Sequence, residues 1–249
     1  MRAIILSAGR GRRLPKYLSI KPKVLLKVGR HTILEKQIQN FKLMGINKVA
    51  LVTGYNAKYF KKMNLKLFHN RKWASTNMVF SLKQANSWLN KYKCIVSYGD
   101  ILYEEKALKK LISNKNKIAL TYDVNWRMLW KKRFKNILSD AETFKIKRGI
   151  IREIGKKTES IKNINGQYMG LIKFNPTGWK VFKKCLQKHF KGKYKKLYLT
   201  DIFQKLIESD IDIIGIKFNG KWAEVDNLKD YKIMKKIFLN EKNSINKTR

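Results

Sequence analysis

The chain has 249 residues, and its 57 Lys and Arg against 17 Asp and Glu give a formal net charge of +40. Hydrophobic residues make up 44% of the chain, which is enough for a full core and excludes a wholly disordered chain. No apolar run approaches the roughly 18 residues of a membrane-spanning helix. Cys94 and Cys185 form neither a disulfide framework nor a zinc motif, so we expect a reduced, cytoplasmic protein.

Short apolar runs alternate with amphipathic helical segments along most of the chain. Strands are predicted at residues 2–7, 48–53, 65–69, 94–98, 118–122, 169–174 and 211–217. Helices are predicted after the capping-box residues Thr32 and Glu35, and at residues 77–89, 104–112, 176–189, 199–208 and 229–239. This alternation indicates an α/β fold with a mostly parallel, doubly wound sheet.

The pattern loosens between residues 126 and 167 into short mixed pieces, which we interpret as a small lid or insertion. We therefore expect a single domain over residues 1–242 with an insertion at about 123–168, followed by a frayed tail at 243–249. Ligands of doubly wound sheets bind at the carboxyl ends of the strands, and Gly9, Gly99 and Asp123 fall at such ends.

A glycine-rich turn, Gly9-Arg10-Gly11, follows the first strand. The turn lacks the third glycine of a dinucleotide-binding fingerprint, and it lacks the Gly-Lys-Ser/Thr of a P-loop. Small residues let backbone N–H groups approach a triphosphate, while Arg13 and Lys23 would supply charge to its oxygens. The turn and the two cations together predict a site for a triphosphate.

The N-terminal part of the chain resembles the signature of nucleotidyltransferases of the nucleoside-diphosphate-sugar pyrophosphorylase type. The resemblance rests on AIILSAGRGRRL at residues 3–14 and on KPKVL at residues 21–25. It implies the Rossmann-like nucleotide-diphospho-sugar transferase fold, with Lys23 and Arg13 as catalytic residues. It also implies that Asp100 and Asp226 bind Mg²⁺. Nucleotide contacts are implied for Leu6, Ala8, Gly9, Gly11, Arg12, Thr76, Asn77 and Gly99. Arg12 departs from the pattern, because the family usually has Ser or Thr there.

The rest of the chain resembles cytidylyltransferases that activate phosphocholine or phosphonates. The resemblance rests on WASTNMV at 73–79, VSYGDI at 96–101, YDVNW at 122–126, LSDAETF at 138–144, GQYMG at 166–170 and WAEVD at 222–226. It implies transfer of CMP from CTP to a small phosphonate such as 2-aminoethylphosphonate, or to a phosphate ester such as phosphocholine, with release of pyrophosphate. The activated headgroup would then be attached to a cell-surface glycan or lipid.

The acceptor side is predicted from the same region. Trp126 and Trp130 are four residues apart, so on a helix they share one face. Aromatic rings beside carboxylates suit an ammonium group. Acceptor contacts are therefore predicted for Asp123, Trp126, Trp130, Asp140, Glu142 and Tyr168. The EIGK run at residues 153–156 resembles a family element, which implies that Lys156 contacts the phosphate of the acceptor. A tryptophan pair at this spacing is usually part of a core, and Lys156 fits a solvated side chain nearly as well.

Several candidate residues also have a purely structural interpretation. Thr76 and Asn77 are good helix N-cap residues, so capping explains them as well as pyrimidine recognition does. Asp226 could cap the helix that begins near Asn227, which would not exclude metal binding. The attacking oxygen of a phosphonate or phosphate is already anionic, so no general base is expected. Catalysis would rest on positioning and on charge stabilisation.

Two other functions stay open from the sequence. A sugar-1-phosphate nucleotidyltransferase would share the N-terminal signature without needing the aromatic and acidic insertion. A nucleic-acid-binding protein that has lost catalysis would use the basic surface. Lys and Arg are spread over nearly every segment and no recognition motif occurs, which disfavours nucleic acid as a partner. The expected partners are CTP and a small anionic acceptor, while the identity of the acceptor and association into a homodimer stay open.

Overall fold

The computed structural model describes residues 1–191 and 194–239, so the tail expected at 243–249 lies outside the described residues. Within these residues, no helix is long and apolar enough to cross a membrane. The strands are β1 (Arg2–Ser7), β2 (Lys27–Val28), β3 (His31–Thr32), β4 (Val49–Thr53), β5 (Lys66–His69), β6 (Cys94–Tyr98), β7 (Ile101–Tyr103), β8 (Ile118–Asp123), β9 (Glu142–Lys147), β10 (Ile150–Lys157), β11 (Gln167–Phe174), β12 (Ile214–Phe218) and β13 (Trp222–Glu224). The α-helices are α1 (Lys16–Ser19), α2 (Ile33–Leu43), α3 (Met78–Gln84), α4 (Asn86–Lys91), α5 (Lys106–Ser113), α6 (Trp126–Arg133), α7 (Pro176–Phe190), α8 (Leu199–Ile207) and α9 (Leu228–Leu239).

Nine strands form one mixed sheet in the order β5-β4-β1-β6-β11-β8-β12-β10-β9. Strands β10 and β11 run antiparallel to their neighbours, and the other seven run in one direction. Helices cover both faces, so successive residues of β1 enter different cores: Ile4 belongs to one buried cluster and Ile5 to the other. The predicted α/β fold with a mostly parallel sheet is confirmed.

Local sequence signals locate α2 well but miss a break further along. Thr32 and Glu35 form the predicted capping box, with the Glu35 amide donating to Thr32 Oγ1 at 3.1 Å. Gly45 follows the helix at φ +74°, as a C-terminal glycine does. The single helix predicted at 77–89 is two helices, because the backbone departs from helical geometry at Ala85 (φ −87°, ψ 17°).

Residues 126–167 are more regular than the sequence pattern suggested. They contain α6 and the hairpin β9–β10, which continues the main sheet beyond β12. Arg148 and Gly149 connect the two strands with φ values of 52° and 76°, the backbone of a tight type I′ turn. The pairing of β10 with β9 has register irregularities between Ile151 and Glu153 and between Ile154 and Lys157. They interrupt the alternation of apolar and polar residues in β10, which explains why the hairpin was not predicted.

A small second sheet positions the C-terminal part of the site. Strand β13 pairs antiparallel with β7, so that Glu224 lies opposite Ile101. The Val225 amide then donates to the Asp100 carbonyl oxygen at 2.9 Å. Asp100 directly precedes β7, and Asp226 lies two residues beyond β13. This pairing therefore brings together two aspartates that are 126 positions apart in the sequence.

Candidate active site

A cleft of about 340 Å³ opens at the carboxyl ends of β1 and β6. The parallel strands end side by side there, so the loops that follow them form its walls. It contains every residue predicted to be catalytic, nucleotide-binding or metal-binding: Leu6, Ala8, Gly9, Gly11, Arg12, Arg13, Lys23, Thr76, Asn77, Gly99, Asp100 and Asp226. Residues distributed over almost the whole chain thus converge in one place.

Two glycines are required by the shape of the cleft. Gly11 has φ +68°, and a Cβ built on it would lie 2.8 Å from Lys23 Cγ. Gly99 passes so close to β1 that a Cβ would lie 2.5 Å from the Leu6 carbonyl oxygen. A side chain at either position would displace backbone or the lysine, so only glycine fits.

Lys23 lies between the two predicted metal-binding aspartates. Its Nζ donates to Asp100 Oδ2 at 3.0 Å, to Asp226 Oδ1 at 3.2 Å and to the Val225 carbonyl oxygen at 2.7 Å. Burial alone would lower the pKa of Lys23, but the charges of Asp100 and Asp226 outweigh it and raise the pKa above its ordinary value. The ammonium group is therefore charged at neutral pH.

Arg13 reaches the same carboxylate from the solvent side. Its Nη2 donates to Asp226 Oδ1 at 2.6 Å, while 67% of the Arg13 side chain remains exposed. Burial would raise the pKa of Asp226, but Lys23, Arg13 and Arg133 together hold it below its ordinary value. Arg13 is thus free to contact a ligand from the cleft mouth.

The chemistry of the two aspartates fits a divalent cation. One oxygen of each carboxylate contacts the Lys23 ammonium group, so the two carboxylates lie close together at the cleft. No group of three His, Cys, Asp or Glu side chains that could hold a metal occurs among residues 1–191 and 194–239. Mg²⁺ needs no such group, because it is commonly bound by one or two carboxylates together with phosphate oxygens and water.

Acidic and basic side chains both surround the two aspartates. The carboxylates are Asp100, Asp140, Glu224, Asp226 and Asp230, and the cations are Arg13, Lys23 and Arg133, while Arg12 also lines the cleft. Five of the 17 acidic residues of the chain therefore lie at this one place, in a protein of net charge +40.

Thr76 and Asn77 lie in the cleft wall, but their polar groups have protein partners. The Asn77 amide group donates from Nδ2 to the Lys196 carbonyl oxygen at 2.6 Å, and its backbone N–H donates to the Lys195 carbonyl oxygen at 2.6 Å. Asn77 makes no side-chain cap to α3, which corrects the capping interpretation. Thr76 Oγ1 donates to the Lys72 carbonyl oxygen at 2.7 Å.

The predicted acceptor residues do not line the cleft, and they divide into two groups. Asp140 and Glu142 are exposed. The Asp140 carboxylate interacts electrostatically with Arg133 and Asp226, which places it beside the cleft. Partial removal of the Glu142 carboxylate from water, together with the negative charge of Asp140, raises the Glu142 pKa to about 7. Tyr168 packs edge-on against the cleft residue Tyr98, with ring centroids 5.7 Å apart.

The other predicted acceptor residues have structural roles or point elsewhere. Trp126 and Trp130 are 1% and 3% exposed and belong to the hydrophobic core, so the core interpretation of this pair replaces the acceptor prediction. Asp123 is buried and accepts hydrogen bonds from Trp222 Nε1 and from the Asn125 amide, which leaves it outside the cleft. Lys156 is exposed, and its charge interacts with the carboxylate of Glu208.

Two residues that support the site were not predicted. Gln37 is fully buried in α2, and its Nε2 donates to the carbonyl oxygens of Tyr98 and Ile101, which holds the turn that carries Asp100. Its position between Leu34 and Phe41 on the apolar face of the helix was a usable signal. Arg133 contacts Asp226, but its neighbours Lys131 and Lys132 make the run look like a solvated face.

A cleft that combines glycine turns, exposed cations and paired carboxylates is suited to a nucleoside triphosphate and its metal, and its class is that of the nucleotidyltransferases. The sequence model of the MobA-like NTP transferase domain matches residues 3–158, and the chain belongs to this family.

Relatives extend the match over nearly the whole chain. A CTP:phosphoglutamine cytidylyltransferase from Campylobacter jejuni is 34% identical over 249 residues, covering 94% of this chain and 98% of that protein. A choline-phosphate cytidylyltransferase from Streptococcus pneumoniae is 25% identical over 257 residues, covering 97% of this chain and all of that protein. The resemblance to nucleotidyltransferases of the cytidylyltransferase kind is thereby confirmed.

Solved structures confirm the fold. A CTP:phosphocholine cytidylyltransferase from Streptococcus pneumoniae matches with a TM-score of 0.73 at 20% identity, covering 95% of this chain and 98% of that chain. An inositol-1-phosphate CTP transferase from T. maritima matches with a TM-score of 0.73 at 21% identity, covering 95% of each chain.

Proposed function

We propose that this chain is a Mg²⁺-dependent cytidylyltransferase that transfers CMP from CTP to a small phosphorylated acceptor and releases pyrophosphate. The observation that carries the proposal is the contact of Lys23 with both Asp100 and Asp226 beside the glycine turn. The preference for CTP is supported by two relatives that use a cytidylyl donor and match almost the full length of the chain.

The residues of the cleft divide the work of binding the triphosphate. Backbone N–H groups of the turn at Gly9 and Gly11 approach the phosphates, and Arg12 and Arg13 add positive charge from the exposed side. Lys23 supplies a third charge for the developing pyrophosphate. Mg²⁺ bound by Asp100 and Asp226 would supply further charge neutralisation at the phosphates.

The reaction needs no general base. An anionic oxygen of the acceptor's phosphoryl group forms a bond to the α-phosphorus of CTP, while the bond from that phosphorus to the bridging oxygen breaks and pyrophosphate leaves. Both groups carry their charges before the reaction, so the protein contributes by aligning them and stabilising the charge on the leaving group.

The acceptor would enter beside Asp140 and Glu142. Both side chains are exposed next to the cleft, and their charge suits an ammonium group or another hydrogen-bond donor on the acceptor. The names of the two relatives give phosphoglutamine and choline phosphate as acceptors, so a phosphorylated amide or a phosphate ester is favoured over a phosphonate. The product would be a CDP-linked headgroup ready for attachment to a glycan or lipid.

Pyrophosphate release with each of the four NTPs and with dTTP tests the proposal against its rivals. The acceptor panel contains phosphocholine, phosphoglutamine, 2-aminoethylphosphonate and glucose-1-phosphate. We expect turnover with CTP and one of the first three, lost in Asp100→Asn. Turnover of glucose-1-phosphate with UTP or dTTP would replace the proposal with a sugar-1-phosphate nucleotidyltransferase. Absence of turnover with every pair, together with tight, salt-sensitive RNA binding, would favour a nucleic-acid-binding protein.

A further inference from the structure

Arg133, the last residue of α6, is buried directly behind the cleft. Only 1% of its side chain is exposed, and it contacts three carboxylates: Glu224, Asp226 and Asp230. Withdrawing a guanidinium group from water carries a large desolvation cost, which several charged partners at good geometry can offset. The three carboxylates therefore provide the charged partners that allow Arg133 to be buried here.

Arg133 divides the two oxygens of Asp226 between two environments. Arg133 Nη2 donates to Asp226 Oδ2 at 3.3 Å, from inside the protein. Asp226 Oδ1 faces the cleft, where it accepts from Lys23 at 3.2 Å and from Arg13 at 2.6 Å. Rotation of the carboxylate would break one of these two sets of contacts, so Arg133 fixes which oxygen is presented to the cleft.

Asp230 fixes Arg133 in turn. Arg133 Nε donates to Asp230 Oδ1 at 3.0 Å and Nη2 donates to Asp230 Oδ2 at 3.3 Å, with both side chains 1% exposed. Asp230 Oδ2 also accepts the backbone N–H of Asp226 at 3.2 Å. Asp226 is thus held through its main chain and its side chain by one buried ion pair.

The tryptophans of α6 anchor this arrangement. The guanidinium carbon of Arg133 lies 5.0 Å from the Trp130 ring centroid and 4.9 Å from that of Phe134. Trp126 packs edge-on against Trp130 with centroids 5.9 Å apart. The sequence predicted that Trp126 and Trp130 contact the acceptor. In the structure they pack together, and Trp130 contacts Arg133.

We propose that Arg133 is a positioning residue, which acts through Asp226 to set the geometry of the divalent-cation site. The inference rests on the proposed function, because it gives Asp226 the role of metal ligand. Arg133 itself does not line the cleft. Partners that orient a metal ligand commonly change affinity or activity by about 10–100-fold when they are replaced.

Mn²⁺ binding to the protein in the presence of CTP tests this inference. It is measured without acceptor, as the loss of the free-Mn²⁺ EPR signal beyond the loss that the same concentration of CTP causes without protein. The variants are Arg133→Lys, which keeps the charge but loses the planar fork, and Arg133→Met with Asp230→Asn, which leaves no unpaired charge at position 230. We expect Mn²⁺ affinity and kcat to fall about 10–100-fold in the double variant and less in Arg133→Lys, while the KM for CTP changes much less.

Lys173→Met is the matched control for lost stability. Lys173 is fully buried at the other end of the sheet, where its Nζ donates to the carbonyl oxygens of Asn114 and Asn116 at 2.7 and 2.6 Å. This variant should unfold at a lower temperature and bind Mn²⁺ as tightly as the wild type.

The inference is overturned if the folded Arg133 variants bind Mn²⁺ with wild-type affinity, if Lys173→Met weakens Mn²⁺ binding equally, or if the wild type binds no Mn²⁺ with CTP. Wild-type Mn²⁺ binding that weakens in the Arg133 variants, without turnover of any NTP and acceptor, would contradict the proposed function and leave the role of Arg133 supported.

Discussion

The nucleotide side and the acceptor side of this cleft are built in different ways. On the nucleotide side, the cleft surface consists of backbone turns that directly follow strand ends. Its shape depends on the positive φ of Gly11, and its charge on Arg12, Arg13 and Lys23. On the acceptor side, the predicted residues come from β8, α6, β9, β10, β11 and the segment before β9. Among them, Asp140 and Glu142 present exposed carboxylates beside the cleft.

This difference shows which kind of site a sequence can specify by itself. A turn that follows a buried parallel strand has its position fixed by the strand, so contiguous motifs predict it well. The position of a residue in a hairpin or on a short helix depends on strand register and on packing against distant elements. Of the residues predicted on the acceptor side, Asp140 and Glu142 therefore lie exposed beside the cleft, while Trp126 and Trp130 lie in the core.

The largest expected effect comes from removing the charge that contacts both aspartates. Lys23→Met should lower kcat with CTP about 10²–10³-fold, because a charge placed at the leaving pyrophosphate is lost. Lys27→Met, on the exposed part of the same segment, is the matched control and should leave kcat unchanged. Steady-state kinetics checks both, and near-normal kcat in Lys23→Met would remove the lysine from the catalytic site.

Gly11→Ala tests the backbone of the nucleotide side. The positive φ should cost about 1–2 kcal/mol of stability, and the clash with Lys23 should displace that side chain and lower kcat about 10²-fold. Gly45→Ala is the matched control, because Gly45 has φ +74° and open space around it. It should lose similar stability in thermal unfolding with full activity. Equal activity losses in both variants would contradict the specific role of the Lys23 contact.

Asp140→Asn and Glu142→Gln address the acceptor side. Each should raise the acceptor's KM about tenfold, because the electrostatic attraction between one carboxylate and the cationic group of the acceptor is lost, and leave the KM for CTP unchanged. Glu159→Gln, also exposed, is the control. Steady-state kinetics with phosphocholine as acceptor separates the two constants. If both KM values rose together, the carboxylates would belong to the nucleotide side or to the fold.

The smallest effect is a pH dependence carried by Glu142. Its pKa of about 7 means that its carboxylate gains charge as the pH rises from 6 to 8. For an acceptor with an ammonium group, KM should fall over this interval, because the ionised form attracts the cation. Glu142→Gln should flatten the profile. An unchanged slope in this variant would assign the pH dependence to another group.

Much of the fold and of the nucleotide side could be predicted from the sequence, and specific residues show where prediction stopped. Strand β7 has three residues and pairs with a segment more than a hundred positions away, so no local pattern marks it. Arg133 looked solvated because its three carboxylate partners lie far away in the sequence, in β13, just after β13 and in α9. Gln37 was predictable in principle, because it is a polar residue on the apolar face of α2 and a buried polar side chain needs hydrogen-bond partners.

Transfer of label from CTP tests the central claim most directly. The chain is incubated with Mg²⁺, the acceptor panel, and CTP labelled on the α-phosphorus or on the γ-phosphorus. A cytidylyltransferase puts the α-label into a CDP-linked product and the γ-label into pyrophosphate, and Lys23→Met does neither at a comparable rate. Appearance of the α-label only in free CMP, or of the γ-label in the acceptor, would contradict the account.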